Sequence, residues 1–435
     1  MAIVLAKAKT VSPARRSAFQ ILREVEGGAF SSILLAADEP KLKPADRALC
    51  HELVLGVLRW QFWLDKLIEH YSKRSAGSLD LPVRLALRLG LYQLRFLSRV
   101  PASAAVNESV NLVHGARLSS AAAFVNAVLR RAIRESDFDP SFRLDPLEAL
   151  AVQTSHPVWL IKRWVESFGD KEAEAFARAN NRVPPTAFRL VDTDFTDVKE
   201  RFQASGANVE SSIVAEDAWR VSGVPALVRE LAAEGRIYLQ DEASQLVAQT
   251  VDVQPGERIL DLCAAPGGKT TLMAQRSGNS ALIVAADRSK KRLQIVVSTS
   301  ALHKLNVIQF VVLDAVQPLP FKPSTFDRIL VDAPCSGTGT LARNPEIRWR
   351  ISEDDIHTLA TQQKLFLTNA ARVLKPGGQL VYSTCSVERD ENEAVIAAFL
   401  ATHTDFKLIK TTRTWPHRDA VDGFFIASLT LAAQQ

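Results

Sequence analysis

The chain has 435 residues, of which 47% are hydrophobic and 23% are charged, close to the average of globular chains. This composition excludes a wholly disordered protein, a collagen and a disulfide-stapled mini-protein, and no apolar stretch approaches the ~18 residues that a membrane-spanning helix needs. The length predicts about three domains. Four cysteines without a Cys-x-x-Cys pair predict a reducing, cytoplasmic location, and residues 1–7 have too short an apolar run for a signal peptide.

The net charge of +5 is unevenly distributed along the chain. Residues 1–140 have a net charge of +7, residues 141–237 of −3 and residues 238–435 of +1. A basic module joined to a nearly neutral one suggests a polyanionic partner, with nucleic acid as the first choice. A solvated surface with a slight excess of arginine explains the same charge equally well.

The first third of the chain is predicted to be all helical. Phe19, Leu22 and Val25 recur at helical spacing, and a long helical pattern covers 103–134. Residues 141–237 are predicted to form a small α+β unit. Its helices are expected at 157–168 and 171–180, and a strand at 187–191 follows an Asn/Pro-rich turn.

Residues 238–435 alternate predicted strands with predicted helices, which indicates a parallel sheet. The strands are expected at 258–262, 281–286, 307–312, 328–331, 379–382 and 424–428. The helices are expected at 269–275, 288–302, 354–374 and 392–401.

The first chemical motif reads Asp-Leu-Cys-Ala-Ala-Pro-Gly-Gly-Lys-Thr at 261–270, where a buried strand turns into a helix. A P-loop would need glycine at position 263, which is Cys263, and no Gly-x-Gly-x-x-Gly dinucleotide motif is present. Gly267 and Gly268 allow a ligand to approach the backbone closely. The remaining interpretation is a nucleoside-type cofactor that lies across the strand ends.

Three successive predicted strands end at or near an aspartate, namely Asp261, Asp287 and Asp314. Asp287 follows Asp261 by 26 residues, near the ~20-residue offset of a carboxylate that binds ribose hydroxyls. Asp314 is placed to hold the base. The alternative is that these side chains only cap helices or turns, but their shared position at one sheet edge favours a ligand site.

Two further motifs each place a cysteine directly after a predicted strand. Asp-Ala-Pro-Cys-Ser-Gly at 332–337 contains Cys335, and Ser-Thr-Cys-Ser at 383–386 contains Cys385. No metal is expected here, because the zinc deaminase pattern Pro-Cys-x-x-Cys has Thr338 at its second cysteine and no histidine has ligand spacing. Of the other cysteines, Cys263 is expected to pack under its turn and Cys50 in a helical core.

Two thiols beside a nucleoside cofactor indicate chemistry at C5 of cytosine. A thiolate that adds to C6 makes C5 nucleophilic toward an electrophilic methyl group, and a second group must then help to expel the thiol. Negative charge develops toward the ring nitrogen, where an acid such as Asp332 would stabilise it. The spacing does not decide which cysteine is the nucleophile.

These three motifs together resemble the signature set of the Sun/Fmu-type 16S ribosomal RNA (cytosine-C5) methyltransferases. Further matches lie at 240–245, 343–349, 374–378 and 422–425, and 106–110 and 125–130 resemble the NusB-like helical domain of the methyltransferase B branch. The resemblance implies an α/β fold: a Rossmann-like S-adenosylmethionine-dependent methyltransferase domain at 238–435. An all-α NusB-like RNA-binding domain at 1–140 and a small α+β domain at 141–237 precede it.

The same resemblance assigns roles to individual residues. It implies that Cys385 is the nucleophile, that Cys335 promotes release, and that Asp332 serves both catalysis and cofactor binding. It also implies a cofactor site lined by Cys263, Ala264, Ala265, Pro266, Gly267, Gly268, Lys269, Asp287, Asp314 and Asp332. Where relatives usually read Leu-Arg-Val-Asn, this chain has Phe-Arg-Leu-Val at 188–191, which weakens the expectation of an RNA contact there.

The expected activity is methylation of C5 of a cytosine in 16S ribosomal RNA, free or partly assembled, by a monomer without membrane contact. Methylation of an exocyclic amine is one alternative, although that chemistry typically uses an Asn/Asp-Pro-Pro-aromatic motif. An RNA-binding, antitermination-like adaptor with a vestigial catalytic domain is another. Arg84, Arg88 and Arg95 fall on one stripe of a helix predicted over 83–97, and we expect this stripe to contact RNA phosphates.

Overall fold

A computed structural model of the chain describes residues 11–191 and 195–433, so the prediction made for residues 1–7 lies outside the described part. The chain divides into two compact units. The first comprises Met1–Arg182 and Leu341–Arg350, and the second comprises Val183–Thr340 and Ile351–Gln435. Within the described part, no helix is long and apolar enough to cross a membrane.

The first unit is built from helices, and its described residues contain no strand. Its helices are α1 (Pro13–Glu26), α2 (Ser31–Asp38), α3 (Pro44–Arg59), α4 (Gln61–Ser72), α5 (Leu81–Phe96), α6 (Ala102–Gly115), α7 (Ala122–Arg134), α8 (Pro146–Thr154), α9 (Val158–Phe168) and α10 (Asp170–Ala179). The predicted all-helical front of the chain is confirmed. Helix α5 has Pro82 in its first turn, where the missing N–H costs nothing, and buries apolar residues around its whole circumference.

The expectation that the arginines of α5 contact RNA is wrong for Arg88, because neighbouring helices enclose this stripe. Arg88 is 3% exposed, and its guanidinium donates to Asp65 Oδ2 of α4 and to Glu26 Oε1 of α1, both at 2.7 Å. Arg84 lies 3.7 Å from the same Glu26, and Arg95 bonds backbone carbonyls and the Tyr71 hydroxyl. Arg84 and Arg88 are therefore paired with carboxylates inside the unit, and Arg95 is held by neutral acceptors.

Residues 341–350 lie far along the sequence but belong to the first unit. Glu346 Oε1 accepts hydrogen bonds from Ser31 N and Oγ, both at 2.9 Å, at the start of α2. Arg348 is fully buried and donates to the carbonyls of Arg59 and Ser155 among others, and Trp349 Nε1 donates to Leu58 O at 2.8 Å. The sequence, through its resemblance to a family motif at 343–349, instead predicts this segment to be part of the catalytic domain.

The second unit begins with a small four-stranded sheet and two helices. Its elements are β1 (Thr186–Leu190), α11 (Thr196–Ala204), β2 (Asn208–Ser211), β3 (Ala218–Ser222), α12 (Pro225–Ala233) and β4 (Ile237–Leu239). The strands are antiparallel in the order β2-β3-β1-β4, and Phe188 and Phe202 pack between sheet and helices. The chain divides after 182 rather than at 140, so the predicted three-domain boundaries stay a prediction.

The rest of this unit is a seven-stranded sheet with helices on it. Its elements are α13 (Glu242–Thr250), β5 (Arg258–Asp261), α14 (Gly268–Arg276), β6 (Leu282–Asp287), α15 (Lys290–Leu302), β7 (Ile308–Val312), β8 (Phe326–Asp332), α16 (Glu353–Ala371), β9 (Leu374–Thr384), α17 (Glu393–Thr402), β10 (Phe406–Arg413), α18 (Pro416–Asp419) and β11 (Phe425–Leu431). The strand order is β10-β11-β9-β8-β5-β6-β7, and all neighbours are parallel except those of β11.

All six strands predicted for this region are present with shifted ends, but β10 and α13 were missed. Strand β10 is an edge strand whose middle residues are exposed, so it lacks the alternation that marks a half-buried strand. The predicted helix over 354–374 is too long. It ends at Ala371, and Leu374 already begins β9 beside Phe326.

Candidate active site

The candidate site lies at the carboxyl ends of the central parallel strands. Strands β5, β6 and β8 end in Asp261, Asp287 and Asp332, and β9 ends directly before Cys385. In doubly wound sheets this edge, at the point where the strand order reverses, is the position of ligand sites. Here the reversal lies beside β5, which pairs with β6 on one side and β8 on the other.

The loop between β5 and α14 is held against β6 by its backbone. Ala265 N donates to Asp287 Oδ2 at 3.3 Å, and Arg292 donates to Ala265 O at 2.6 Å. Gly267 has a φ of 106°, and a Cβ there would come within 2.8 Å of Val296 Cγ1. Only glycine tolerates both the left-handed backbone conformation and the lack of space for a side chain. The loop can therefore present its backbone at the sheet edge.

Asp261 is the most deeply buried carboxylate of this edge, with 1% exposed. Its Oδ2 accepts a hydrogen bond from Thr270 Oγ1 at 2.7 Å, while its Oδ1 is buried without a partner. Burial raises the pKa of Asp261 to about 7, and the nearby Asp332 charge acts in the same direction. This oxygen is therefore placed to accept a further hydrogen bond.

Asp287 and Asp314 have different surroundings. Asp287 is buried, and its other oxygen accepts Ser289 N at 2.8 Å, so its carboxylate organises the loops on both sides. Asp314 lies two residues beyond β7, is exposed, and accepts Val316 N at 3.1 Å in a local turn. Loop organisation therefore accounts for the contacts of Asp287 and turn formation for that of Asp314, and their cofactor roles stay predictions.

Lys269 and Asp332 form an ion pair beside the thiols. Lys269 Nζ donates to Asp332 Oδ2 at 2.7 Å and lies 5.2 Å from the centre of the Phe424 ring. Burial lowers the pKa of Lys269, but the charge and the hydrogen bond of Asp332 together with the neighbouring Cys385 and Asp261 outweigh burial and leave the pKa raised. Ser383 Oγ donates to the second Asp332 oxygen at 2.7 Å. The carboxylate is thereby fixed in one orientation.

Cys335 and Cys385 face each other, with 3.4 Å between their sulfur atoms. Each lies just past the end of its strand and is partly exposed. The hydrogen bond to Cys385 and burial raise the pKa of Cys335 well above its ordinary value. The two sulfur atoms are close enough for either thiol to donate a hydrogen bond to the other.

Two glycines bring the loops of the cysteines together. Gly339 N donates to Cys385 O at 2.9 Å, and Gly423 N donates to Gly339 O at 2.8 Å. A side chain at Gly339 would overlap the Gly423 carbonyl. The close approach of these backbones therefore depends on the absence of a Cβ.

The two remaining cysteines have no place in thiolate chemistry. Burial, followed by the charges of Asp261 and Asp332, raises the pKa of Cys263 well above its usual range. Cys50 is buried in the helical unit, where burial raises its pKa to about 11. In the part of the chain that the structure describes, no group of three or more histidine, cysteine, aspartate or glutamate residues could hold a metal ion.

Sequence reasoning missed two residues that organise this site. Arg189 of β1 is 2% exposed and donates to Gln240, to Thr271 at 2.8 Å and to Gln275 at 2.5 Å, all of them neutral acceptors. Two of these acceptors belong to α14, so the small sheet steadies the cofactor helix. The signal that could have revealed Arg189 was its position inside an apolar strand. It was missed because an arginine is normally expected to be exposed.

Glu391 is the second missed residue. It is fully buried, and its carboxylate accepts hydrogen bonds from the residue that follows Cys335. The sequence offered only one signal, a carboxylate six residues after Cys385. It was missed because the next helix is predicted to begin at residue 392, directly after Glu391.

Comparison with known families matches three consecutive regions of the chain. Residues 12–134 match the NusB family, residues 156–225 match the ferredoxin-like domain of RsmF/B-like methyltransferases, and residues 248–430 match the model of the 16S rRNA methyltransferase RsmB/F. The first region covers helices α1 to α7, the second covers α9, α10 and the first three strands of the small sheet, and the third covers the seven-stranded sheet. The predicted fold class is thereby confirmed.

Similar proteins extend over almost the whole chain. The probable ribosomal RNA small subunit methyltransferase B of Synechocystis sp. is 37% identical over 96% of this chain and 99% of its own length. The corresponding probable enzyme of Bacillus subtilis is 34% identical over 94% and 96%. The crystal structure of PH0851 is 28% identical with a TM-score of 0.85, over 97% of this chain and 99% of its own.

Proposed function

Because the chain belongs to the RsmB/F family of 16S rRNA methyltransferases, we propose that it methylates C5 of a cytosine in 16S ribosomal RNA. The chain is an S-adenosylmethionine-dependent rRNA methyltransferase, and the proposal adds the atom and the covalent route. One observation supports it above all others. Two thiols lie 3.4 Å apart at the ligand edge of the sheet, beside the Lys269–Asp332 ion pair.

The residues at this edge fit an S-adenosylmethionine site. The loop at 263–269 and its left-handed Gly267 leave backbone accessible, and Asp261 keeps one buried oxygen without a donor. We assign cofactor contacts to Cys263, Ala264, Ala265, Pro266, Gly267, Gly268, Lys269, Asp287, Asp314 and Asp332. When bound, S-adenosylmethionine supplies an electrophilic methyl group.

We assign the nucleophile to Cys385. The family resemblance of the Ser-Thr-Cys-Ser motif at 383–386 supports this assignment, and Cys335 faces the same sulfur at 3.4 Å. A thiolate at Cys385 that adds to C6 turns C5 into a carbon nucleophile. The target base must leave its stack to reach these groups.

Asp332 and Lys269 are assigned to the charge that develops on the ring. Addition at C6 pushes electrons toward the ring nitrogen, where Asp332 acting as an acid, with the Lys269 ammonium beside it, would stabilise the developing negative charge. Both oxygens of Asp332 are held, by Lys269 and by Ser383, at 2.7 Å each.

Release of the product is assigned to Cys335. Once C5 carries the methyl group, Cys335 in its deprotonated form accepts the C5 proton, the C5–C6 double bond re-forms and the C6–S electrons return to Cys385. Cys335 is 3.4 Å from the sulfur that must depart, close enough to assist this elimination. We further propose that the protein acts in the cytoplasm as a monomer on free or partly assembled small-subunit RNA, which the NusB-like helices help to bind.

The first test compares cysteine variants of the full chain on a 16S rRNA transcript with S-adenosylmethionine. Cys335→Ala should accumulate a covalent protein–RNA adduct that survives denaturing electrophoresis, since attack proceeds but release does not. Cys385→Ala should form neither adduct nor methylated RNA. Cys50→Ala is the matched control, because that thiol is buried in the helical unit, and it should retain activity.

Methylation by Cys385→Ala would contradict the assignment of the nucleophile. Digestion of the RNA product to nucleosides should yield 5-methylcytidine, and a methyl group on an exocyclic amine would overturn the C5 proposal. Failure of the protein to bind S-adenosylmethionine in calorimetry would favour an adaptor with a vestigial catalytic domain.

A further inference from the structure

A buried cluster of polar side chains lies directly behind the two thiols. Its centre is the carboxylate of Glu391, which has no exposed surface. Glu391 Oε1 accepts Ser336 N at 2.8 Å and Gln363 Nε2 at 3.1 Å, and Oε2 accepts Ser336 Oγ at 2.5 Å. All of these partners are donors, which is the pattern of an ionised carboxylate.

The cluster connects the loops of both cysteines. Ser336 follows Cys335 and Ser386 follows Cys385, and the two serine hydroxyls are 2.9 Å apart. A hydrogen bond with Ser386 is among the contacts that act on the Glu391 carboxylate. One carboxylate therefore organises the residue next to each sulfur.

The backbone of Glu391 is also fixed to the strand that leads to Cys385. Tyr382 Oη donates to Glu391 O at 2.5 Å. The next residue, Asn392, accepts Thr384 Oγ1 at 2.6 Å and donates to Ser386 O at 2.9 Å. The carboxylate is held in place by contacts on both sides of Cys385, so it has little freedom to move away from the serines.

No described lysine, arginine or histidine forms a salt bridge with Glu391. Ionising a buried carboxylate without a cation is unfavourable, and burial accordingly raises the pKa of Glu391 while its hydrogen bonds oppose that shift. The buried charge of Glu391 is costly for stability, yet it is bonded to Ser336 and Ser386, which follow the two reactive cysteines. This suggests a role in the reaction rather than in folding.

We propose that Glu391 is a positioning residue that holds the Cys335 and Cys385 loops at the separation that product release requires. This inference rests on the proposed two-cysteine reaction. Glu391 acts through Ser336 and Ser386 and need not touch the RNA or the cofactor. Without its carboxylate, Ser336 N–H, two hydroxyls and the Gln363 amide compete for new partners, and the sulfur separation is no longer fixed.

The test compares Glu391→Ala and Glu391→Gln with Glu393→Gln in the full chain. Glu393 is the matched control, because it is half exposed and its carboxylate binds Arg413 on the surface. Glu391→Ala should lower kcat about tenfold, the effect of roughly one buried donor left unpaired. It should also accumulate covalent RNA adduct with both cysteines present, while the affinity for S-adenosylmethionine stays unchanged.

Glu391→Gln separates positioning from proton transfer. Its amide oxygen still accepts from Ser336 N and Gln363, and serine hydroxyls can turn to accept from its amide nitrogen. Most of the activity should therefore be retained. Activity as low as that of Glu391→Ala would overturn the positioning role, and so would a Glu391→Ala variant with normal turnover or with slow turnover and no adduct.

A readout without RNA keeps this test independent of the proposed function. Dibromobimane becomes fluorescent when it bridges two thiols, so it reports the proximity of Cys335 and Cys385, with Cys335→Ala as the blank. Glu391→Ala should give a bridging yield at least several-fold lower than Glu393→Gln, and an equal yield would overturn the inference. If Glu391→Ala does not fold, Ser386→Ala takes its place and must also accumulate adduct.

Outcomes for the two proposals are distinguishable. Activity of Cys385→Ala would refute the reaction scheme, whatever the bridging yield shows. Normal behaviour of both cysteine variants combined with an unaffected Glu391→Ala would refute only the role of Glu391.

Discussion

The reactive thiols lie beside an unusual concentration of charge for a buried site. Lys269, Asp332 and Asp261 are neighbours, and the first two form an ion pair. Ser383 of β9 donates to the second oxygen of Asp332 and holds the pair in place. A low-dielectric surrounding strengthens each of these interactions. At Cys263, by contrast, burial and the charges of Asp261 and Asp332 raise the pKa of the thiol well above its usual range, which disfavours a thiolate there.

Asp261 provides a prediction about pH at the residue scale. Its pKa of about 7 in the folded protein lies above the ordinary value of 3.8, so between these pH values the folded state holds one more proton than the unfolded state. Stability therefore falls as pH rises through this window, by up to about 1.4 kcal/mol per pH unit for this group. Asp261→Asn, which keeps an acceptor for Thr270, should remove that loss.

The measurement is the thermal midpoint of wild type and Asp261→Asn at pH 5 and pH 8. The variant should gain stability relative to wild type at pH 8 and much less at pH 5. An equal difference at both pH values would contradict the raised pKa of Asp261.

At the scale of elements, a single side chain can hold a helix in a position that the sequence of the helix itself does not determine. Arg189 connects β1 to α14 through neutral acceptors, and burial lowers its pKa to about 10. Because it is 2% exposed, it is not available to RNA, which agrees with the weakened expectation for 188–191. The arginine of this strand thus serves the geometry of the cofactor loop.

Helix α5 allows a direct test of the correction made for Arg88. Arg88→Ala leaves Asp65 and Glu26 without their shared cation, and we expect a loss of about 3 kcal/mol, the lower end for a buried pair because both carboxylates are partly exposed. Arg99→Ala, at an exposed position near the end of the same segment, should change the free energy of unfolding by less than about 0.5 kcal/mol. Urea unfolding followed by circular dichroism measures both.

The same variant distinguishes an internal ion pair from an RNA contact. The salt dependence of RNA binding should keep its slope in Arg88→Ala, whereas loss of a phosphate contact would flatten it. A flatter slope with unchanged stability would restore the interpretation of this arginine as an RNA contact.

The sequence predicted elements where periodicity and turn residues agree, and failed where tertiary contacts decide. The strands that end in Asp261 and Asp287 are apolar runs between turns and were found. Strand β10 was missed because its exposed middle has no buried face, and the arginine stripe was misjudged because helical spacing shows a shared face but not what covers it. The motifs indicated the Cys335–Cys385 pair, whereas Glu391 has meaning only through its contacts.

At the scale of the whole molecule, sequence order and packing do not coincide. Residues 341–350 follow the Cys335 loop along the chain, yet Glu346, Arg348 and Trp349 are bonded within the helical unit. Family resemblance identified this segment as a motif but gave no indication of the unit in which it folds. Its polar residues are explained by the helix ends and carbonyls that they satisfy rather than by catalysis.

The central claim is that this chain methylates C5 of a cytosine in 16S ribosomal RNA through Cys385. Bisulfite sequencing of 16S rRNA tests it in cells that lack the protein, complemented with wild type, Cys385→Ala or Cys50→Ala. A cytosine protected from conversion in the parent strain should become convertible in the deletion strain and with Cys385→Ala, and regain protection with wild type and Cys50→Ala. An identical pattern of protected cytosines in parent and deletion strains, or protection restored by Cys385→Ala, would contradict the claim.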